Sequence, residues 1–281
     1  MSLTVLKYVP LLMIVLCNNA LAPMSNNYKA IQCTLKPRAS RAHTFLHPHL
    51  PGPNPTSKTR AASEDTSTNW GGFVGVSNLH NPKKNSVNYV AGSWVVPTVT
   101  GTTNAYAAYW VGIDGFTSPT VEQIGTAHDM VDGQQQHYAW FEMYPRSSYE
   151  IVGFPVEPGN VISASVTYTG KGVFRLNIIN HTRSVTFAVP ISYTKLVSAK
   201  RSSAEWIVEA PFLNGVLPLS NFGTAYLWGC KATINGITAQ IGNNSWDKWS
   251  LQMVTEREVV KANPSSLLPD AGSFFMEWAH S

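Results

Sequence analysis

The sequence predicts an all-β fold, a sandwich of two antiparallel sheets. Short apolar or alternating runs recur about every ten residues from Thr66 onward, and Gly, Pro, Asn and Ser separate them. No long stretch has the period of a helix. Charged residues make up only 13% of the chain, about half the usual share, whereas aromatic residues reach 11%. Low charge combined with many aromatic residues is typical of a secreted β-protein.

The strand signals follow one another without a repeat or a linker after Thr66, so residues 66–281 are expected to form one domain. In chain order the predicted strands are 69–76, 89–96, 105–113, 120–125, 138–144, 161–168, 173–179, 184–193, 204–210, 224–228, 231–234, 249–254 and 273–278.

Residues 1–22 have the pattern of a secretory signal peptide. Lys7 precedes the apolar run 9–17, and small residues follow that run. The run is too short to predict a membrane-spanning helix. We therefore expect a secreted protein without stable membrane association.

Residues 23–65 form a basic, Pro-rich stretch without apolar periodicity. No Asp or Glu precedes Glu64, whereas seven Lys and Arg do. The rest of the chain carries 13 basic and 16 acidic side chains, a net charge of −3, so the basic pI does not indicate a nucleic-acid surface on the main domain. Two interpretations remain open, a disordered linker and a largely unstructured pro-segment that docks on an acidic cleft as an intramolecular inhibitor.

Residues 204–210, AEWIVEA, are predicted to place a carboxylate late on a strand. Side chains alternate between the two faces of a strand, so Trp206 and Val208 lie on an apolar face and Glu209 lies on the other. Pro211 suits a strand end because it lacks a backbone donor. Glu209 is either part of a solvated acidic face or a catalytic acid at the floor of a groove.

Two further predicted strands place polar and aromatic groups on one face. By the same alternation, these groups are Trp110, Asp114, Trp140, Glu142 and Tyr144. The tryptophans are either ordinary core residues or, with the carboxylates beside them, the lining of a groove for a polymer.

Five motifs carry a resemblance to a known family. They are NWGG (69–72), WVGIDG (110–115), EQIG (122–125), AWFEMYP (139–145) and AEWIVEAP (204–211). In this order and approximate spacing they resemble the glutamic peptidases, the eqolisin family, and most closely its bacterial branch. The resemblance implies two long, curved antiparallel sheets of the concanavalin A-like kind. It also implies a secreted precursor with acid endopeptidase activity towards proteins or peptides and without metal or cofactor.

The resemblance also implies roles for individual residues. Gln123 and Glu209 fall on the catalytic dyad, and the five residues of the shared polar face fall on or beside positions that line the family's cleft. The chain departs from the fungal members in a shorter segment between Trp110 and Gln123, in Tyr138 at an acidic position, and in the absence of their disulfides. Its domain also has more Lys and Arg, which predicts a less extreme pH optimum. We expect a monomer.

Two alternatives from other classes remain at this point. A lectin-like glycoside hydrolase would use Glu142 and Glu209 as its pair of carboxylates. A carbohydrate-binding β-sandwich would use the tryptophans without an activated acid.

Overall fold

The computed structural model describes residues 28–37, 48–52, 63–101, 104–192 and 198–281, and within these ranges it contains eighteen β-strands and no helix. Accordingly, no helix able to cross a membrane occurs in this part of the chain. In chain order the strands are β1 (Lys29–Ala30), β2 (Thr34–Pro37), β3 (Ser63–Ser67), β4 (Trp70–Val76), β5 (Val87–Val95), β6 (Ala108–Ile113), β7 (Val121–Val131), β8 (Gln134–Tyr144), β9 (Tyr149–Val152), β10 (Val161–Gly170), β11 (Val173–Asn180), β12 (Val185–Ser192), β13 (Ser203–Glu209), β14 (Thr224–Ile234), β15 (Ile237–Gln240), β16 (Asp247–Val254), β17 (Val260–Pro264) and β18 (Phe274–Trp278).

The strands form two layers. The front sheet has the strand order β3-β16-β4-β13-β6-β7-β8-β9-β2, and the back sheet has the order β18-β14-β5-β10-β11-β12-β1. Strand β15 forms a hairpin with the second half of β14 and belongs to the back sheet. Strand β17 pairs with both β16 and β18 and joins the layers along one edge. All pairings are antiparallel except β3 with β16 and β1 with β12. The predicted antiparallel sandwich is therefore confirmed.

The core lies between the two sheets, where the apolar faces predicted from the alternation meet. Trp206 and Val111 of the front sheet and Trp94 of the back sheet are fully buried in one cluster. The Trp206 indole donates to the Ala91 carbonyl at 2.8 Å, and the Trp94 indole donates to the Thr126 hydroxyl at 2.8 Å. These two bonds satisfy buried indole N–H groups and fix the layers against each other.

The predicted strands all exist, with altered boundaries. The predicted strands 224–228 and 231–234 are one strand, β14, with an irregularity between Trp228 and Lys231. Gly229 has a φ of 60° there, a conformation that favours glycine. The prediction missed β3, β9, β15 and β17, which have four or five residues each and too few positions to show a period.

The expectation of little structure before Thr66 needs correction for the residues that the structure describes. Strand β1 extends the edge of the back sheet beside β12, and β2 extends the edge of the front sheet beside β9. Residues 48–52 lie against the front sheet. Short stretches like these order because the domain supplies the pairing edge, which their own sequences do not reveal. The predicted signal peptide, 1–22, lies outside the described residues.

Candidate active site

The strand register places the two predicted catalytic residues on the outer face of the front sheet. Glu209 of β13 lies opposite Ala108 of β6, and Gln123 of β7 lies opposite both Gly112 of β6 and Glu142 of β8. Directly opposed residues of an antiparallel ladder share a face, as do alternate residues of one strand. Both side chains therefore point away from the core, in the same direction.

Each of the two residues is held by one of the predicted cleft residues. The Trp110 indole Nε1 donates to Glu209 Oε2 at 2.9 Å. The Gln123 amide Nε2 donates to Glu142 Oε2 at 2.8 Å. All four side chains are fully buried. Gln123 Oε1 has no hydrogen-bond partner among the described residues, so it remains available as an acceptor.

Two glycines of the motifs make room for Trp110. A Cβ on Gly112 would lie 2.8 Å from Cζ3 of the Trp110 ring, and a Cβ on Gly125 would lie 2.0 Å from the Tyr109 carbonyl and 2.6 Å from Trp110 Cβ. No side chain other than hydrogen fits at either position. The indole can therefore lie over the sheet between the strands that carry Gln123 and Glu209.

Aromatic side chains form the floor around these polar groups. Trp70 lies opposite Glu209 and packs edge-on against Trp110, with ring centroids 4.9 Å apart. Trp140 lies opposite Gly125 on the same face and is also fully buried. Burial, together with the nearby Glu142 carboxylate, raises the pKa of Tyr144. The predicted set Trp110, Trp140, Glu142 and Tyr144 therefore comes together around Gln123.

Asp114 has a different position from the other predicted residues. It follows β6 with a φ of 71°, and its carboxylate accepts from the backbone N–H groups of Arg201 and Ser202 at 2.6 and 2.9 Å. The hydroxyls of Ser202 and Thr120 add bonds of 3.0 and 3.4 Å. Burial raises the pKa of Asp114, and these hydrogen bonds oppose the rise. Its carboxylate ties the loop after β6 to the start of β13.

Asn69 is a site residue that the sequence analysis did not single out. It is fully buried, and its Nδ2 lies 3.4 Å from Glu209 Oε1. The backbone N–H of Ala210 donates to the Asn69 carbonyl at 2.8 Å, which brings the start of β4 beside the end of β13. A single polar residue before a strand gives no periodic signal, so only the NWGG motif pointed towards this position.

Residues 48–52 cover this end of the face. The His49 ring packs against Phe116 and Trp70, with centroid separations of 4.7 and 5.8 Å. Burial lowers the pKa of His49 to about 4, and a hydrogen bond that the ring donates to the Thr66 backbone partly offsets this fall in pKa. The His49 Nε2 atom has no hydrogen-bond partner among the described residues. The segment thus places a buried imidazole against the aromatic floor next to Glu209.

Glu205 is a third buried carboxyl on this face, besides Glu142 and Glu209. Glu205 of β13 lies opposite Gly112 of β6, and Gln123 of β7 lies opposite Gly112 from the other side of β6. Burial raises the pKa of Glu205 well above its usual value, and the nearby Asp114 and Glu122 carboxylates raise it further. The surroundings of Glu205 therefore favour its neutral form.

We expect the free energy of unfolding of Glu205→Gln to fall less than that of the wild type as the pH rises towards neutral. Between the unfolded and folded pKa values the native state holds a proton that the unfolded state lacks. This group therefore lowers the free energy of unfolding by about 1.4 kcal/mol for each rise of one pH unit. The stabilisation that Glu205 gives the folded domain is fully present at any pH below the pKa of this carboxyl in the unfolded chain. Urea titrations at several pH values between 4 and 7 would measure the slope, with the exposed Glu277→Gln as control. Equal slopes in wild type and Glu205→Gln would contradict the prediction.

Comparison with known proteins gives a family match over most of the domain. The sequence profile of the Peptidase A4 family matches residues 68–263. Aspergillopepsin-2 of Aspergillus niger is 26% identical over 242 residues, which cover 77% of this chain and 82% of that protein. Scytalidopepsin B of Scytalidium lignicola is 28% identical over 156 residues, 56% of each chain.

Solved structures show the same fold. A crystal structure of scytalido-glutamic peptidase with a transition-state analogue inhibitor superposes with a TM-score of 0.64 at 23% identity, covering 75% of this chain and 98% of that one. Aspergilloglutamic peptidase from Aspergillus niger superposes with a TM-score of 0.55 at 24% identity, covering 62% of this chain and 99% of that one.

Proposed function

Because the chain belongs to the Peptidase A4 family of glutamic endopeptidases, we propose that Gln123 and Glu209 are the two groups with which it hydrolyses peptide bonds. The observation that carries the proposal is their arrangement. They point to one face of the front sheet, and Trp110 and Glu142 hold them there by separate hydrogen bonds. One carboxylate and one carboxamide thereby lie on the same face of the front sheet, on which the substrate binds in this proposal.

Glu209 acts as general base and then as general acid. Its ionised carboxylate takes a proton from water while the water oxygen attacks the scissile carbonyl carbon. A tetrahedral intermediate with a negatively charged oxygen results. When the C–N bond breaks, the departing nitrogen takes the proton from Glu209. The products are a carboxylic acid and an amine, and Glu209 is ionised again.

Gln123 stabilises the charge that develops. Its Nε2 carries two N–H groups, of which one donates to Glu142 and the other is available for the oxyanion. Its Oε1 has no described partner and can accept a hydrogen bond from the attacking water. The Glu142 contact fixes which way the amide faces, so Glu142 is a positioning residue for Gln123. An amide keeps its donors at every working pH.

An acidic working range follows from the use of a glutamate as base. A general base works best near its own pKa, and an unperturbed Glu titrates at about 4.3. Digestion of denatured casein at about pH 4, with a β-glucan as the comparison substrate, tests the reaction class. Casein cleavage that resists a pepstatin-type inhibitor supports the proposal. Cleavage of the glucan alone would instead support a glycoside hydrolase that uses Glu142 and Glu209.

The basic segment 23–65 serves as the intramolecular inhibitor of the secreted precursor. Residues 48–52 support this role, since they lie beside Glu209 and contact the Asn69 side chain that also contacts Glu209. Three buried carboxyl groups of this face, Glu142, Glu205 and Glu209, also favour a segment that carries basic residues and no acid before Glu64. A substrate cannot occupy the same positions while the segment stays.

We expect His49→Phe to slow activation by acid about tenfold or more. The docked imidazole has a lowered pKa, so docking is fully stable above the free pKa of about 6.5. The free energy of docking becomes less favourable by up to about 3 kcal/mol as the pH falls towards 4, the approximate pKa of His49 in the docked segment. Phenylalanine keeps the ring contacts but cannot gain a proton. A gel time course after a shift to pH 4, with N-terminal sequencing between residues 55 and 66, measures processing. The exposed His80→Phe is the control. Processing of His49→Phe at the wild-type rate would contradict the prediction.

A further inference from the structure

Residues 48–52 run along the front sheet and form one antiparallel bridge to it, between Pro51 and Ser67. Their backbone contacts include Gly52 N–H to the Thr66 carbonyl at 2.8 Å, Thr68 N–H to the Leu50 carbonyl at 2.9 Å and His49 N–H to the Gly115 carbonyl at 3.1 Å. They also include Leu50 N–H to Asn69 Oδ1 at 2.9 Å and Asn69 Nδ2 to the Pro48 carbonyl at 3.3 Å. Strand addition of this kind recognises a peptide by its backbone. The segment is thus held as an extended peptide would be.

Two of these contacts come from the Asn69 side chain. Its oxygen accepts the N–H of residue 50, and its nitrogen donates to the carbonyl of residue 48. A side-chain amide pairs here with two peptide groups, as a neighbouring strand would. The same nitrogen also lies 3.4 Å from Glu209 Oε1. Asn69 therefore connects the bound backbone directly to the proposed general base.

The orientation of the Asn69 amide is fixed by Ser67. The Ser67 hydroxyl donates to Asn69 Oδ1 at 3.1 Å or to the Leu50 carbonyl at 2.9 Å, and it accepts the Trp70 N–H at 3.0 Å. Burying a carboxamide completely is costly unless its polar atoms are bonded. The amide is thus preorganised, with its oxygen towards a peptide N–H and its nitrogen towards a carbonyl and Glu209.

We propose that Asn69 docks the substrate backbone in the place that residues 48–52 occupy, and thereby sets the position of the scissile bond relative to Glu209. This inference rests on the proposed function. The ligand is an extended peptide with a free N–H at the position of Leu50. Proline at that position is excluded because it has no N–H. The segment itself follows this rule, since its prolines are Pro48 and Pro51 and the residue whose N–H the Asn69 oxygen accepts is Leu50.

The test uses the full chain after acid activation, with Asn69→Ala and the control Asn263→Ala. The control removes an exposed amide that accepts from Gln252 on β16 at 2.9 Å, away from this face. We expect Asn69→Ala to lower kcat/KM about 10–100-fold, with much of the change in KM, since two ordinary hydrogen bonds are each worth about a factor of 5–10. Thermal melts of both variants establish that each is folded before the kinetics are compared.

A series of substrate peptides, each with one backbone nitrogen methylated, separates docking from a merely structural role. In the wild type one methylated position should lower kcat/KM about tenfold or more. In Asn69→Ala methylation at that same position should lower kcat/KM by about twofold or less. A penalty that persists in Asn69→Ala, or kinetics equal to those of Asn263→Ala, overturns the inference. A wild-type chain that cleaves no peptide instead refutes the proposed function.

Asn69→Asp keeps the test decisive if the alanine variant does not fold. Aspartate retains the acceptor for the peptide N–H and loses the donor. The penalty for the methylated position should therefore persist, while kcat falls because a second carboxyl group adjoins Glu209. Wild-type kcat in Asn69→Asp would overturn the inference.

Discussion

Replacing Glu209 with glutamine should lower kcat by about 10³-fold or more while leaving the fold intact. The variant keeps the size of the side chain and can still accept from the Trp110 indole, which now donates at 2.9 Å. It cannot take a proton from water or return one to the leaving nitrogen. General acid–base groups contribute about 10²–10⁴-fold, and here one group serves both steps. Steady-state kinetics on casein and circular dichroism spectra measure the two halves of this prediction.

Two further variants make the Glu209 result specific. Glu277→Gln removes an exposed carboxylate of β18 and should leave kcat unchanged. Glu142→Gln removes the other buried carboxylate of the site but preserves an amide oxygen that can accept from Gln123. Its loss of activity should be clearly smaller than that of Glu209→Gln. If Glu142→Gln were the more damaging change, Glu142 and not Glu209 would be the base.

Replacing Gln123 with alanine should lower kcat about 10²–10³-fold. This is the usual cost of removing one oxyanion donor, and it is felt mainly in the transition state, so KM should change little. The alanine also removes the donor to Glu142, which leaves a buried carboxylate without that contact. Some loss of stability, about 1–3 kcal/mol, is therefore expected in parallel.

The matched control for Gln123 is Gln252→Ala. The Gln252 amide also donates to a neighbouring side chain at 2.9 Å, but it lies on β16 at a half-buried position. Gln252→Ala should retain wild-type kcat. A Gln123→Ala variant with more than about a tenth of wild-type kcat would exclude an oxyanion role for this amide.

The face of each strand was the part of the site that sequence could predict. Alternation alone placed Trp206 inside, and it placed Glu209, Trp110 and Glu142 on the opposite face, because a period of two leaves no other choice once one side is apolar. The assignment of Gln123 needed the motif resemblance. The local sequence pattern contains no feature that marks Gln123 as catalytic, because alternation shows only which face a side chain is on.

Long-range contacts were beyond the sequence patterns. Asn69 reaches Glu209 only because the start of β4 and the end of β13 come together, and the two residues are 140 positions apart. The pairing of β1, β2 and residues 48–52 depends in the same way on edges supplied by distant strands. Asp114 was grouped with the cleft residues by alternation, but the chain turns at its positive φ, so its carboxylate reaches the loop before β13.

On this face burial shifts the pKa of two carboxyl groups and the pKa of one imidazole in opposite directions, which suits a precursor that is activated by acid. Burial raises the pKa of Glu205 and Asp114, so these groups favour the folded domain at low pH. Burial lowers the pKa of His49, so the docked segment is favoured at neutral pH. Acidification should therefore release the segment while the domain beneath it remains folded.

The most direct measurement is a crystal structure of the acid-activated chain with a peptide that carries a tetrahedral phosphinate in place of the scissile bond. The account predicts one phosphinate oxygen within about 3 Å of Gln123 Nε2 and another within about 3 Å of the Glu209 carboxylate. A phosphinate held between Glu142 and Glu209, with the Gln123 amide out of hydrogen-bond reach, would contradict it.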